Sequence, residues 1–476
     1  MNRTLKITLI LSADEHDPLR KKDPFMPLSL AILASVAPEH NYRLIDLLWD
    51  ELNIDEPADI VGISVRMSAE KAAFRIADMY RKKGVTVIMG GPQPSSNPYE
   101  ALDHSDAVAI GEGEFLWPVI LRDFLDQRLK NFYVCSPRLF EATGYSVFQL
   151  EKLPPLNNLP MPSRNLFKRK YTFDLVFAAR GCPINCDFCS VTGLFGTEYR
   201  LRPIDDVVNE ISSFKRYYYL IDDTVFGRKN TYSYYIKLYD RIAKLKKIRY
   251  WTGQANLDAA SSETGREVIK KAVNSGLVYT AIGMESINIS VLKKSGTISK
   301  MGIKPDEDVI EKMKQNIRFI HDQGILISAW FAIGYEDDDL NTYYRTYQFC
   351  KEMNLMPVFT PVNALKGTGL YLRLERENKL RDPSFNLTNV HHPAMANESV
   401  LKALDYTARK GYSLGSILIR TLFYARKIAR NEYNSVNDII HKTVFVFMTQ
   451  MKMRRIVLSE NKRLRKKINL RKSNNV

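Results

Sequence analysis

Short apolar runs alternate with amphipathic stretches over most of this chain. Runs at 5–12, 42–48, 60–65, 85–89 and 107–110 read as strands, while 27–37, 69–83 and 114–127 repeat apolar residues at helical spacing. This alternation predicts a parallel, doubly wound sheet, which binds ligands beyond the carboxyl ends of its strands. Four prolines, at 154, 155, 160 and 162, mark a linker. The pattern then resumes, with strands at 173–179, 217–221, 250–254, 279–284, 326–333 and 357–362. Helices fall at 204–214, 232–246, 263–275, 307–323 and 338–353. Six strand–helix repeats are two short of a closed eight-stranded barrel. Beyond 380 no clear strand follows, and 398–430 has helical apolar spacing. The predicted organisation is a first domain over 1–140, a linker over 141–170, a second domain over 171–380 and a helical, basic extension over 381–476.

Composition fits a soluble multidomain protein, with 476 residues, 45% hydrophobic and 26% charged. Five cysteines in no even framework argue for a reducing compartment. The apolar run 6–13 is too short for a secretory signal, and no stretch is long enough for a spanning helix. The chain is therefore expected in the cytoplasm. Its net charge of +16 is uneven: from Lys452 onward ten Lys/Arg face one Glu, a net of +9, which leaves +7 for everything before it. A solvated tail is the plainest reading of that run. Arg454, Arg455, Lys462, Arg463, Arg465, Lys466 and Lys467 could also meet nucleic acid phosphates or anionic lipid. Apolar surface upstream, at 417–423 and 443–448, is compatible with a peripheral contact at the inner membrane face and a lipid-like substrate. Nucleic acid is the weaker of these readings.

Three of the five cysteines, Cys182, Cys186 and Cys189, fall within eight residues just after the strand at 173–179; Cys135 and Cys350 are distant and read as buried thiols. Three thiolates on one loop can hold three corners of a cubane iron–sulfur cluster and leave one iron open to a ligand. A zinc knuckle would need a fourth Cys or His nearby, and the nearest downstream histidine is His321. Glycines at 90, 91, 111 and 113 lie at strand ends, where they form turns or let a ligand approach the backbone.

The Cys-x3-Cys-x2-Cys spacing, with Phe188 before the last cysteine, resembles the signature of the radical S-adenosylmethionine (radical SAM) superfamily. Gly90-Gly91-Pro92-Gln93 and Gly111-Glu112-Gly113-Glu114, with the helix start at 27–30 and the strand at 59–64, resemble the cobalamin-binding domain ahead of many such enzymes. Asp14-Glu15-His16-Asp17-Pro18-Leu19 departs from the Asp-x-His-x-x-Gly motif of other cobalamin proteins, as the radical SAM branch commonly does. The resemblance implies an α/β fold: a Rossmann-like cobalamin domain, a six-stranded partial (β/α) barrel and a helical C-terminal extension. It also implies a [4Fe-4S] cluster on Cys182, Cys186 and Cys189, whose open iron binds the methionyl group of SAM and cleaves it to a 5'-deoxyadenosyl radical.

By the same resemblance SAM contacts fall on Phe188, Asp222, Asp223, Gln254, Glu285, Ser286 and Gly334. Cobalamin contacts fall on Ser64, Gly90, Gly91, Gln93, Gly111, Glu112 and Gly113. The implied activity is cobalamin-dependent C-methylation of an unactivated carbon in a small or lipid-like molecule, with an external electron donor such as flavodoxin or ferredoxin. Cyclisation or rearrangement is the alternative. Methylthiolation would require three more cysteines in the first domain, which has only Cys135. The resemblance assigns no catalytic side chain.

Overall fold

The computed structural model describes residues 3–474 except 16, 18, 22, 216, 246–249, 304–306, 382–387 and 432–433. His16 and Pro18 of the 14–19 loop, Lys246 at the predicted helix end, and the side chains of Lys466 and Lys467 therefore lie outside the described residues.

The chain divides into two compact units. The first takes residues 1–175 with 179–183 and 190–203. Its elements are β1 (Lys6–Leu11), α1 (Leu28–Ser35), β2 (Asn41–Asp46), β3 (Ile60–Ser64), α2 (Glu70–Lys82), β4 (Thr86–Gly90), α3 (Pro92–Ser96), α4 (Pro98–Asp103), β5 (Ala107–Gly111), α5 (Gly113–Leu125), β6 (Phe132–Cys135) and β7 (Val147–Gln149). They form one seven-stranded sheet in the order β2-β1-β3-β4-β5-β6-β7, with every pair parallel. Alternate residues of each strand feed opposite cores. Val61, Ile63, Val87 and Met89 meet Ala73, Phe74, Ala77 and Tyr80 of α2. Ile7, Leu9, Ile60 and Ile88 meet Leu30 of α1 and Leu116 and Trp117 of α5. The sheet continues past residue 140: β6 and β7 lie beyond the expected strands, and β7 falls within the expected linker. Both are too short to show a period from the sequence.

The chain then passes through β8 (Asp174–Val176), β9 (Ala179–Arg180), α6 (Val191–Phe195) and β10 (Arg200–Leu201). β9 pairs antiparallel with β10, so the single strand expected over 173–179 is two short pieces. The second unit holds 176–178, 184–189 and 204–476. It contains α7 (Ile204–Ser212), β11 (Tyr217–Leu220), α8 (Tyr232–Ala243), β12 (Tyr250–Ala255), α9 (Glu263–Asn274), β13 (Leu277–Glu285), α10 (Ile289–Lys294), α11 (Val309–Asp322), β14 (Leu326–Ile333), α12 (Leu340–Glu352) and β15 (Met356–Pro361). Four helices follow: α13 (Gly369–Arg376), α14 (Asn397–Gly411), α15 (Leu414–Ala429) and α16 (Val436–Asn474). The sheet runs β15-β14-β13-β12-β11-β8 in sequential order, a six-stranded open barrel wall. Polar caps start its helices where the sequence offers them: Asp308 accepts from two amides of α11, and Asp339 forms a capping box with Thr342 on α12.

The register separates the two faces of this sheet. Tyr218 and Trp251 point to one side, where Trp251 stacks on Tyr239 of α8 at 5.2 Å between ring centroids. Tyr217, Tyr250 and Tyr279, aligned by Tyr217↔Tyr250 and Thr252↔Tyr279, point to the other. There Tyr250, Tyr279, Leu326 and Met356 pack on Tyr412, Tyr424 and Ile428 from the α14–α15 region and on Val446 of α16. The C-terminal helices thus fill the inner face at the strands' amino ends. They belong to the same compact unit as the barrel rather than forming an appendage.

Candidate functional site

The cysteine loop is held at both ends by its neighbours in sequence and space. Gly181, at φ +95°, has no room for a side chain, since a Cβ there would overlap the carbonyl of Glu198. The Cys182 amide donates to Gly196 O at 3.1 Å. The Cys189 amide donates to Cys186 O at 3.1 Å, closing a turn that gathers the second and third cysteines. Asp187 between them is fixed three ways: its amide donates to Ser295 O (3.1 Å), its carbonyl accepts from Leu370 N–H (2.7 Å), and Oδ1 accepts from Tyr335 OH (2.8 Å). Burial raises the carboxyl pKa of Asp187 despite the Tyr335 hydrogen bond. Cys186 is buried, and Cys182 and Cys189 are half-buried. Three thiols on one short anchored loop fit a cubane cluster with one iron left for a ligand. Burial pushes the Cys135 thiol up to about 12 and raises Cys350 as well, so both remain protonated.

The strand ends of the second unit bring most of the named SAM residues to one end of the sheet. Glu285 closes β13 at φ +59°, past a register irregularity between Gly283 and Glu285. Its Oε1 lies 2.7 Å from Lys300 Nζ. Lys300 in turn sits 5.7 Å from the Phe188 ring centroid. Burial alone would lower the Lys300 pKa, but Glu285 and then Cys186 and Cys189 reverse the direction and keep the ammonium charged. Lys300 went unnoticed in the sequence because nothing there distinguishes it from Lys293 and Lys294 nearby.

Asp222 is buried and fully engaged: Ala178 N–H and Tyr235 OH each donate to it at 2.7 Å. Asp223 beside it is half-buried and is the more exposed of the two acids. Gln254 is exposed on the inner face of β12, where its side chain hydrogen-bonds Tyr219. Ser286 is buried, with its hydroxyl accepting from the Asn288 amide at 2.9 Å. Gly334, at φ +134°, donates its amide to Asp338 Oδ2 at 2.9 Å. Phe188 is half-buried against the cluster of Tyr335, Val362 and Leu370.

The first unit contains a cavity of about 200 Å³ at the carboxyl ends of β3, β4 and β5. Ser64, Gly90, Gly91, Gly111, Glu112 and Gly113 line it. Its remaining wall is mostly apolar, with Leu33, Trp117 and Phe195 among the larger groups. Gly111 must be glycine, because at φ +87° a Cβ would overlap Cys135 O. Gln93, named with the other six, is buried away from the cavity lining, and its Nε2 donates to Glu70 at 3.2 Å. The volume is far too small for a corrin macrocycle, but the glycine-edged, apolar slot fits a flat appendage of such a cofactor.

Glu112, which borders the cavity, holds its side chain in an ion cluster. Its side chain is fully buried, with Oε2 2.7 Å from Arg180 Nη1 and both oxygens engaged by Arg200. Arg180 also lies 2.5 Å from Glu114. Two carboxylates and two guanidiniums form a balanced, nearly dry cluster. Burial opposes the Arg180 charge, but Glu114 and Glu112 outweigh it and raise its pKa. The cluster anchors β9 and β10, the pair that leads into and out of the cysteine loop.

Comparison with known proteins agrees with this geometry. The Radical SAM superfamily profile matches residues 176–345. The bacteriochlorophyllide d C-8(2)-methyltransferase of Chlorobaculum tepidum is 25% identical over 431 residues, covering 85% of this chain and 89% of that protein. The bacteriochlorophyllide d C-12(1)-methyltransferase of the same organism is 24% identical over 420 residues, covering 83% and 84%. The cobalamin-dependent S-adenosylmethionine radical enzyme OxsB, solved with aqua-cobalamin bound, matches in fold with a TM-score of 0.66 at 16% identity, covering all of this chain and 81% of that one.

Proposed function

Because the chain belongs to the radical SAM superfamily, in the branch that carries a cobalamin-binding domain, we propose that it transfers a methyl group from SAM to an unactivated carbon of a small molecule. The observation that carries this reading is the anchored three-cysteine loop that follows the first strand of a six-stranded open barrel wall. When bound, the cluster supplies the electron that cleaves SAM, and cobalamin carries the methyl group.

Cys182, Cys186 and Cys189 hold the cluster. Asp223 accepts from the methionyl amine, as a carboxylate suits an ammonium donor. Lys300, charged and set beside Cys186 and Cys189, holds an anionic group brought to the open iron, and Glu285 fixes its direction. Phe188 and the backbone around Gly334 flank the adenine. Gln254 and the half-exposed Trp330 face the barrel interior, where they orient substrate and restrict water. The glycine-edged cavity of the first unit takes the flat appendage of cobalamin.

Two relatives named for methyl transfer at carbon support this over cyclisation. A low-potential donor such as flavodoxin or ferredoxin supplies electrons, and the reaction belongs in the reducing cytoplasm. The test is turnover with methyl-labelled SAM: label in the product together with deoxyadenosine is the expected result. Deoxyadenosine without labelled product would exclude methylation.

A further inference from the structure

Two helices of the second unit carry an apolar face that the fold leaves uncovered. α15 turns Ile417, Thr421, Tyr424 and Ile428 inward, and α16 turns Val446 and Gln450 inward. The helices are joined where Arg420 donates to Gln450 at 2.7 Å and Gln450 donates to Thr421 at 3.0 Å. Away from these contacts stand Leu414, Leu418, Ile419 and Leu422 on α15, each 54–64% exposed. Val436, Ile440, Val444 and Met448 on α16 are 55–73% exposed. Steps of four residues align Leu414, Leu418 and Leu422 on α15, with Ile419 three before Leu422 beside them, and align all four on α16. Among the described residues nine large apolar side chains are more than half exposed, and eight of them are these. A single exposed leucine needs no explanation, but a cluster on two joined helices does.

Charge identifies what covers the face. Leu422 is followed at helical spacing by exposed Arg426 and Arg430, and Met448 by Lys452 and exposed Arg455. From Leu414 to the C-terminus the chain has 15 Lys/Arg against 3 Asp/Glu, a net of +12 out of +16. One of the three acids, Asp438, is buried and bonded to Tyr250 and Ser435. A second copy of the chain would set this charge against its own like. No helix among the described residues is long and apolar enough to cross a membrane. We propose that α15 and α16 lie in the plane of an anionic lipid bilayer, with their apolar stripes among the acyl chains and the flanking arginines and lysines at the phosphates. The inference does not depend on the reaction proposed above.

The test is flotation of the full chain with phosphatidylcholine vesicles, alone or mixed with phosphatidylglycerol in equal parts. The parent protein should float with the anionic vesicles only. Leu418→Asp with Val444→Asp should reduce binding by about tenfold or more, since two buried apolar groups are replaced by repelled anions. Arg426→Gln and Arg455→Gln should each reduce it by roughly fivefold. All of these positions are surface-facing, so circular dichroism and thermal melting should match the parent and separate lost binding from misfolding. Failure of the parent to float, or flotation of the double Asp variant like the parent, would overturn the proposal. So would sedimentation showing a dimer that the double Asp variant dissociates, because a second copy would then cover the face.

Discussion

Replacing Glu112 with glutamine tests the buried charge cluster that anchors the cysteine loop. The substitution preserves shape and removes one negative charge from a fully buried group that faces Arg180 and Arg200. Glu114 alone would then face two guanidiniums, and one positive charge would be left uncompensated. Breaking a buried pair in this way costs roughly 3–5 kcal/mol. Combining Glu112→Gln with Arg200→Met restores the balance, leaving Arg180 with Glu114, and should recover a large part of that loss. The assay is urea denaturation of the unloaded protein, together with hydrogen exchange over 179–201. Exchange there should accelerate in the single variant more than in the β1–β3 strands. Iron bound after anaerobic reconstitution should fall as well, since Arg180 precedes Cys182 by two residues. The reasoning is refuted if the single variant is as stable as the parent, or if the double variant loses the sum of the two single losses.

Asp222→Asn, which weakens two buried hydrogen bonds, should destabilise by about 1–3 kcal/mol. Asp223→Asn should weaken SAM binding by roughly tenfold or more; equilibrium binding to the folded variant, checked by melting, reads this, and an unchanged affinity would contradict the assignment. His321 is buried between Met353 O, which can only accept and so fixes the proton on Nε2, and Tyr424 OH. Burial pushes its pKa down to about 4, so its neutral form contributes stability above its ordinary value of 6.5 that is lost as pH falls toward 4. His321→Gln should flatten the stability profile over that range by roughly 3 kcal/mol; parallel profiles would refute this. Cys182→Ala, Cys186→Ala and Cys189→Ala should each prevent stable cluster assembly, whereas Cys135→Ala and Cys350→Ala should retain the parent's iron content.

The layout of the strands was legible because buried parallel strands leave apolar runs and their helices leave a period. The apolar run 326–333 coincides with β14, Leu326–Ile333. β6, β7 and the β9–β10 pair were not legible or were misdrawn, since two to four residues carry no period and Arg180 is placed by partners about seventy residues away in sequence. Six of the seven residues expected at the cobalamin site line the cavity, and four of those are glycines, legible because a backbone that something must approach closely requires glycine. The partners of Glu112 and Asp222 were not legible, because the sequence shows an acid but not which cation or amide engages it. Lys300 was missed for the related reason that only folding sets it beside Glu285 and Phe188. The exposed stripes on α15 and α16 were partly visible as apolar runs, but their outward direction came from the packing of Tyr424, Val446 and Gln450.

The most direct test concerns the open corner of the cluster. Protein reconstituted with iron and sulfide under anaerobic conditions and then reduced should give the paramagnetic resonance spectrum of a single [4Fe-4S] centre. Added SAM should change that spectrum as its amine and carboxylate coordinate the free iron. A spectrum indifferent to SAM, or zinc bound by the three cysteines in place of iron, would contradict the account.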